Sequence, residues 1–258
     1  MLSKRLASTA AICLLLAAGT AACGDNKGGG DKAAASVPKL DTDKLSAEEI
    51  EKQAKDALAA ATSVKIVGSM TDSDGKMAMD IALDTKGQCT GSMSMPGMGK
   101  FELISDGKQS FMKPDQEFWK AIAGPDGAKA AELFKGRYLT GFDNDQEMKS
   151  LASVCNLSVF TKKLLEEDGS KSTSTKGSAG TVNGQKTFSL KNKDADGEES
   201  TIHIATEGKF YPVRVESAGG KQTGQIDFTD YDKPLTVQAP PADSVVDFSK
   251  FKDQFKSA

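Results

Sequence analysis

The first clear pattern of hydrophobic positions in the chain has helical spacing. Ile50, Ala54 and Leu58 recur every four residues, and charged residues occupy most positions between them. Ser46 and Glu49 have the spacing of a capping box, in which a hydroxyl and a carboxylate satisfy free amide groups at a helix start. The pattern predicts an amphipathic helix, and its alanine-rich apolar face allows it to lie close to a sheet.

After this helix the hydrophobic period changes to two, which is typical of half-buried β-strands. The clearest strand carries Met77, Met79, Ile81 and Leu83 on one face. The dipeptide Asp106-Gly107 predicts a hairpin turn between two further strands. The strands predicted in this half of the chain are residues 64–70, 77–83, 89–95, 101–105 and 109–113.

Residues 124–167 are predicted to be helical, in three short amphipathic pieces, and strand periodicity then returns. The later strands, separated by turns such as Asn183-Gly184 and Gly219-Gly220, are residues 171–182, 185–191, 201–206, 210–218 and 222–228. Each predicted strand has one apolar face that needs cover. The order helix, strands, helices, strands therefore predicts an α+β fold, in which helices cover one face of a large antiparallel sheet.

The N-terminal residues have the layout of an exported lipoprotein. A short basic segment precedes an apolar run at residues 10–18, which is typical of a cleaved secretory signal. Small residues then lead into Cys23, and this junction resembles a bacterial lipobox, whose cysteine becomes the acylated first residue of the mature protein. An ordinary signal peptide with an incidental cysteine is the alternative.

The domain boundaries follow from this assignment. We expect a lipoprotein signal peptide over residues 1–22, and an acylated Cys23 with a flexible, glycine-rich tether over residues 23–44. The folded domain is expected over residues 45–258. Palmitate or similar chains on Cys23 would anchor the protein to the cell membrane, with the domain on the extracytoplasmic side.

The charge of the chain excludes one large class of partners. Its formal net charge is −3, and loss of Lys4 and Arg5 with the signal would change this to −5. Binding to the phosphates of nucleic acid requires a stripe or cluster of basic residues, and the basic residues of this chain form neither. No nucleic-acid partner is therefore predicted, and the acylated N-terminus is the expected membrane contact.

Two cysteines remain in the predicted mature domain once Cys13 and Cys23 are accounted for. Cys89 and Cys155 are 66 positions apart. In an oxidising compartment, two such cysteines most simply form a disulfide. Free buried thiols are the alternative.

Residues that could carry chemistry are few. The chain has a single histidine, His203, whose place between Ile202 and Ile204 in a strand puts it on the opposite, exposed face. Residues 87–91 match the sequence pattern of a nucleophile elbow, with Cys89 in place of the serine. A strand-like run follows them, however, where the motif needs a helix. The segment 192–197 begins like a calcium loop, but His203 would stand where the loop needs an acid. No catalytic residue, metal site or cofactor is predicted.

Three groups of motifs together resemble the LolA/LppX-like bacterial lipoproteins, which include the LppX, LprA, LprF and LprG group. The first is the lipobox, tether and alanine-rich helix that runs into Val64-Lys-Ile-Val-Gly-Ser-Met70. The second is Ile104-Ser-Asp-Gly-Lys-Gln-Ser-Phe-Met112 followed by Phe118-Trp119. The third is the closing series of Val182-Asn-Gly-Gln185, Thr201-Ile-His-Ile204, Lys209-Phe-Tyr-Pro-Val-Arg214 and Gln225-Ile-Asp-Phe228.

The resemblance implies a curved, incomplete barrel with helices on its concave face and an apolar cavity between the two. Such proteins are not enzymes; they carry lipids or lipoglycans through the cell envelope, which implies a possible transport partner there. The residues that we expect to line the cavity are all apolar: Met77, Met79, Ile81 and Leu83 of one strand face, with Phe101, Leu103, Phe111 and the helical Leu164 and Leu165. Methionines in the first strands suit variable acyl chains, although plain core packing explains them equally well. The alternative function is a surface scaffold or accessory lipoprotein with a filled core and no ligand.

Overall fold

The computed structural model of the protein describes residues 37–142, 149–167, 172–195 and 197–251. The helices within these residues are α1 (Ala47–Ala59), α2 (Gln116–Ala123), α3 (Gly127–Leu133), α4 (Lys149–Ser153) and α5 (Leu157–Glu167). The strands are β1 (Ser63–Asp72), β2 (Gly75–Asp84), β3 (Gln88–Met95), β4 (Gly99–Asp106), β5 (Ser110–Pro114), β6 (Tyr138–Thr140), β7 (Thr173–Val182), β8 (Gln185–Lys193), β9 (Glu199–Ala205), β10 (Pro212–Gly219), β11 (Gln222–Thr229) and β12 (Val245–Asp247). None of the helices in the described ranges is long and apolar enough to cross a bilayer.

All of these strands belong to one open sheet. Its order is β12-β6-β5-β4-β3-β2-β1-β11-β10-β9-β8-β7. The strands β1 to β6 form one meander and β7 to β11 a second, and the two meanders join where β1 pairs with β11. The prediction of an α+β fold with one large sheet is confirmed, and the centre of that sheet is built from strands far apart in sequence.

Two short strands differ from the prediction. Tyr138–Thr140 lies within the segment predicted to be helical, and Val245–Asp247 lies in the predicted tail. These two strands pair with each other in parallel, so the sheet is mixed rather than purely antiparallel. A three-residue strand is too short to show a period of two, and the single buried Leu139 looks like part of a helical pattern.

The capping box at the start of α1 forms as the sequence predicts. Ser46 Oγ accepts a hydrogen bond from the Glu49 amide at 3.2 Å, and Glu49 Oε2 accepts one from the Ser46 amide at 2.7 Å. Ile50, Ala54 and Leu58 are all buried on the side that faces the sheet. The cap fixes where the helix starts, and this determines which residues point toward the strands.

One face of the sheet, which we call the inner face, carries the helices. Cross-strand pairing places Ile66 between Ile81 and Phe228, and the same row continues through further apolar residues on both sides. Their side chains pack with the helices in one core, which includes Leu103, Met112, Leu139, Phe118, Trp119, Phe134 and Leu157. The sheet thus has one apolar face, and burial of that face under the helices stabilises the fold.

Glycines on the inner face allow the sheet to curve. Gly68 and Gly91 have φ values of +155° and +153°, in a region that other residues rarely adopt. A Cβ atom on either one would lie 2.1 Å from a carbonyl oxygen of the neighbouring strand, that of Gln225 or of Asp80 respectively. Glycines of this kind mark tight bends in strands at the corners of barrels.

The first half of the sheet is covered by an aromatic cluster. Asp115 caps α2 by accepting a hydrogen bond from the Phe118 amide at 2.8 Å. Phe118 then contacts Phe101 of β4 edge to face, with ring centroids 5.9 Å apart, and Trp119 stacks on Phe134 at 4.9 Å. These buried rings fill the space between α2, α3 and the sheet.

Cys89 and Cys155 form a disulfide, with their Cα atoms 5.1 Å apart. The prediction of this pair is confirmed. The bond joins β3 to the segment between α4 and α5, so it ties the second group of helices to the inner face. Closing a loop of 66 residues stabilises the folded chain by about 4 kcal/mol in the chain-entropy treatment.

Candidate functional site

A pocket of about 410 Å³ lies between α1 and the inner face of the second meander. Its volume falls within the range of roughly 300–1,000 Å³ that small-molecule sites occupy. The lining residues come from α1, from β1, from the residue before β7 and from β8 to β11 with their turns: Glu51, Ala54, Lys55, Leu58, Met70, Ser172, Asn192, Asp194, Glu198, Glu199, Ser200, Ile202, Ile204, Pro212, Val215, Ser217, Gln222 and Phe228.

The floor of the pocket is apolar. Ile202 of β9 lies opposite Val215 of β10, and Ile204 follows two residues later on the same face of β9. Met70 and Phe228 extend the floor onto β1 and β11. This surface results from the period of two in these strands, which points alternate side chains toward α1.

The roof of the pocket is α1, held in place by one buried carboxylate. Ala54 and Leu58 face the pocket, and the small alanine side chain leaves room beneath the helix. Glu51 pairs with Lys55 at 2.7 Å and accepts a hydrogen bond from the hydroxyl of Ser174 in β7. This contact ties the roof to the edge strand of the sheet.

Acidic residues line the open end of the pocket. Asp194 accepts a hydrogen bond from the Glu198 amide at 2.9 Å, which closes the turn between β8 and β9. The Glu198 carboxylate in turn accepts one from the Lys221 amide at 2.6 Å, so this turn is linked to the turn between β10 and β11. Glu199 pairs with Lys193 at 3.3 Å. These polar residues, which we call the polar rim, are therefore held in place by hydrogen bonds and an ion pair, and they surround the apolar floor.

Two buried polar side chains of the strands, Asn192 and Ser217, belong to the lining of the pocket. Asn192 shares the inner face of β8 with Leu190 and Phe188, and it is only 8% exposed. Its Oδ1 has no hydrogen-bond partner among the described residues. Buried acceptors without a partner are rare in folded proteins, and this oxygen is also shielded from the open part of the pocket, because it has almost no accessible surface.

A tyrosine pair fixes the end of the floor at Pro212. Tyr231 donates a hydrogen bond to the Pro212 carbonyl at 2.8 Å, and its ring stacks on that of Tyr211. Tyr211 also donates to Asp232 Oδ2 at 2.6 Å. Burial opposes ionisation of Asp232, but hydrogen bonds from Lys209, Tyr211 and Thr62 outweigh it and hold the pKa of this carboxyl well below its usual range.

The residues that the sequence analysis selected as cavity lining lie elsewhere. Ile81, Leu83, Phe101 and Leu103 are buried in the aromatic core of the first meander. Met79 is half-buried against that core, and Met77 is half-buried farther along the same strand. None of these residues lines the pocket beneath α1.

Phe111 is a correction to the predicted set. It pairs with Ile104, whereas the inner-face residue Leu103 pairs with Met112, so Phe111 lies on the outer face of the sheet. The loop between the paired residues Ser105 and Ser110 has an even number of residues, and this places the even-numbered positions of β5 inside. Met112, which is buried in the core, occupies the position proposed for Phe111.

Other predicted site residues lie partly or wholly outside what the structure describes. Leu164 and Leu165 belong to α5, but their side chains are outside the described residues. Cys23 is outside the described residues altogether. The sequence analysis missed the residues of this pocket. One pattern could have indicated them, namely the alternation of Ile202 and Ile204 in a strand together with the alanine-rich face of the first helix.

His203 lies on the outer face, as its position between two inner-face isoleucines predicts. Its side chain is only 19% exposed, which is less than the sequence predicts, because it contacts the side chain of Glu216. Nε2 of His203 lies 3.0 Å from Glu216 Oε1. Cys89 lies within β3 and is disulfide-bonded, so it has no thiol to act as a nucleophile. The described residues hold no group of three or more His, Cys, Asp or Glu side chains placed to bind a metal ion.

A second depression, of about 510 Å³, lies on the outer face of the first meander. Among its charged lining residues, Lys65 lies 3.2 Å from Asp80, and Glu102 lies 2.8 Å from Lys113 of β5. Glu102 also accepts a hydrogen bond from Tyr138 at 2.9 Å. Lys65, Asp80 and Glu102 thus already have charged partners, and the surface lacks the apolar floor of the pocket beneath α1.

Comparison with known proteins identifies the fold. No protein-family profile matches the chain, and no curated protein matches it either. Among solved structures, LprF from Mycobacterium bovis superimposes with a TM-score of 0.51 at 12% sequence identity, over 76% of this chain and 97% of that one. This chain has the LprF fold. The LolA/LppX-like fold predicted from the motifs is thereby confirmed.

A further similar structure is the lipoprotein LppX from Mycobacterium tuberculosis. It covers 73% of this chain and 96% of its own length, at 13% identity and a TM-score of 0.46. The similarity to LprF spans almost the whole of that protein and about three quarters of this chain.

Proposed function

We propose that this protein is an extracytoplasmic lipoprotein that binds the acyl chains of a lipid or lipoglycan in the pocket beneath α1. The observation that carries the proposal is the apolar floor of Ile202, Ile204, Val215 and Phe228 under a helix whose facing residues include a small alanine. A chain that buries about 200 Å² of apolar surface there would gain about 5 kcal/mol. The LprF-like fold and the motif resemblance to lipid carriers support this function.

The proposal includes an anchor and a carrier role. Acylated Cys23 would hold the protein at the extracytoplasmic side of the cell membrane, beside a source of lipid. The polar rim of the pocket would leave the ligand's head near water while its chain lies on the floor. Transfer through the envelope would then need a partner membrane or protein to receive the lipid.

The experiment that tests the proposal is native mass spectrometry of protein purified from its membrane fraction without added lipid. Co-purified lipid, released by organic extraction in about equal molar amount to the protein, is the expected result. A transfer assay between donor and acceptor vesicles would then test carriage. Protein that carries no lipid and takes up none from vesicles would contradict the proposal.

The second candidate function is a scaffold or accessory lipoprotein without a ligand. The observation that favours it is the filled core of the first meander, where Ile81, Leu103 and Phe101 pack closely with the helices. The two functions make opposite predictions for the pocket beneath α1. A scaffold should neither retain lipid nor lose any function when this pocket is filled by a larger side chain.

A further inference from the structure

The pocket beneath α1 is bounded on two sides by filled parts of the inner face. On the side of the first meander, Phe228 belongs to the core in which Trp119 is fully buried. On the side of β8, Ile204 belongs to a second cluster with Phe188 and Leu190. Protein interiors pack as densely as organic crystals, so the pocket cannot widen toward either side without opening one of these clusters.

The volume between the two clusters sets how much lipid can enter. The pocket measures about 410 Å³. A methylene group is about as large as a water molecule, whose share of liquid volume is about 30 Å³. The pocket therefore has room for about fourteen methylene groups, which is one acyl chain of ordinary length rather than two.

A second chain on the same lipid would have to remain outside this pocket. The depression on the outer face does not suit it, because the charged side chains of Lys65, Asp80 and Glu102 line that surface. Each methylene that is drawn from a bilayer and left in water weakens binding by about four-fold. A lipid with two chains would therefore bind far more weakly than a lipid with one.

We propose that the pocket selects lipids with a single acyl chain, of which it covers about fourteen carbons. This inference rests on the proposed function, since it concerns the ligand of the same pocket. The chain lies on Ile202, Ile204 and Val215 beneath α1, and the head stays at the polar rim. A lysolipid and a free fatty acid share this chemistry.

The first test compares lipids that share one head group and differ in the number of chains. The mature protein is incubated with vesicles that contain equal molar amounts of palmitoyl lysophosphatidylcholine and dipalmitoyl phosphatidylcholine, and native mass spectrometry counts the bound molecules. We expect the single-chain lipid to exceed the two-chain lipid by about ten-fold or more. Palmitate, which has the same chain without that head, replaces the lysolipid in a parallel sample and separates the two sources of a single chain.

The second test measures the length of chain that the pocket covers. Lysophosphatidylcholines with chains of about ten to about eighteen carbons compete with a fluorescent acyl probe, each below its micelle concentration. The affinity should rise by about four-fold for each methylene up to about fourteen carbons, and it should then level off.

Variants of the floor assign this plateau in affinity to the pocket beneath α1. Met70→Ala removes side-chain atoms from the lining, so the plateau should move to chains about two carbons longer. Val215→Phe adds atoms to the floor and should move the plateau to shorter chains. Met79→Ala is the matched control, because it makes the same change at a half-buried methionine outside the pocket, and it should leave the plateau where it is.

The outcomes separate the two proposals. Equal uptake of the two-chain and single-chain lipids, or an affinity that keeps rising to the longest chain, would overturn the inference and leave the lipid-binding function intact. A plateau that moves in Met79→Ala but in neither Met70→Ala nor Val215→Phe would also overturn it, since the chain would then lie in the first meander. If the protein binds none of these lipids and none displaces the fluorescent probe, both the inference and the proposed function fail.

Discussion

The rings of Tyr211 and Tyr231 stack almost parallel, with centroids 3.9 Å apart and planes 4° from each other. Tyr231 comes two residues after the end of β11, and Tyr211 directly before β10, so the stack joins the two ends of this hairpin. Its hydrogen bonds reach Pro212, which lines the pocket, and Asp232, which in turn holds the start of β1 through the amide of Thr62. The floor of the pocket is therefore fixed to the central strands of the sheet.

Asp232 should make stability depend on acid. Because its pKa is lowered on folding, the ionised carboxylate contributes stability above its unfolded pKa of about 3.9, and this contribution is lost as the pH falls through the lower folded pKa. Asp232→Asn should therefore destabilise the protein at pH 7 by about 1–3 kcal/mol, the cost of weakening several hydrogen bonds to a half-buried carboxylate. Urea unfolding at pH 7 and at pH 3 measures both effects.

The control for this prediction is Asp230→Asn. Asp230 pairs with Lys233 on the surface, and an exposed pair of this kind contributes little. The loss for Asp232→Asn should become smaller at pH 3, since the wild type then begins to lose the same interaction. A loss that is equal at both pH values would show that the charge of Asp232 does not matter.

A bulky residue should distinguish the pocket from the packed core. Val215 and Met79 lie in one cross-strand row of the inner face, linked through Ile226 and Gly68. Val215→Trp extends into the pocket, so we expect less than about 1 kcal/mol of destabilisation and a large loss of lipid uptake. Met79→Trp overpacks the core and should lower the free energy of unfolding by about 1–3 kcal/mol.

The measurements are urea unfolding and uptake of a fluorescent lipid, made on both variants. Met79→Trp should retain lipid uptake at temperatures where it is folded. If instead Val215→Trp takes up lipid like the wild type, the pocket beneath α1 is not the binding site. Uptake lost only in Met79→Trp would return the site to the first meander.

The inner-face glycines should not tolerate a methyl group. In Gly68→Ala the new Cβ would lie 2.1 Å from the Gln225 carbonyl oxygen, and φ is +155°. We expect destabilisation by more than about 1 kcal/mol. Gly219→Ala is the control, because nothing lies within 4 Å of its Cβ position, and thermal unfolding of the two variants compares them directly. A Gly68→Ala protein as stable as Gly219→Ala would show that the bend can relax.

The disulfide should contribute a measurable share of the stability. Replacing both Cys89 and Cys155 by alanine should lower the free energy of unfolding by about 2–5 kcal/mol, because the unfolded chain loses its cross-link. Unfolding of the wild type in the presence of a reductant should give a similar loss. Reductant should leave the double variant unaffected, and a reductant effect of equal size in both would point to another cause.

Cys23 should carry the lipid anchor. We expect Cys23→Ala to remain an unprocessed precursor without acyl chains, because the lipobox reaction needs the thiol. Intact-mass spectrometry of the membrane fraction measures both cleavage and acylation. Mature wild-type protein with a different N-terminus and no acyl chain would contradict this prediction.

Local patterns explain most of what could be predicted. The capping box of Ser46 and Glu49 fixed the first helix, and the period of two placed Met79 and Ile81 on the inner face. Local chemistry decides these features, so a single sequence reveals them. The strand Tyr138–Thr140 was missed because three residues carry no period.

The pocket could not be predicted because it depends on distant pairing. Met70 and Phe228 become neighbours of α1 only when β1 pairs with β11, and no local pattern specifies that pairing. The placement of Phe111 depended on the length of one turn, since an even number of loop residues exchanges the faces of a strand. Register and strand order are properties of the whole chain.

The pairing of β1 with β11 also sets the order in which the sheet can be completed during synthesis of the chain. The first meander is synthesised with the β1 edge unpaired, and its partner strand β11 follows only after four further strands of the second meander. Contacts between such distant segments form slowly, and the exposed edge can pair wrongly in the meantime. Loss of the last part of the chain would therefore split the sheet along its middle rather than shorten it at one side.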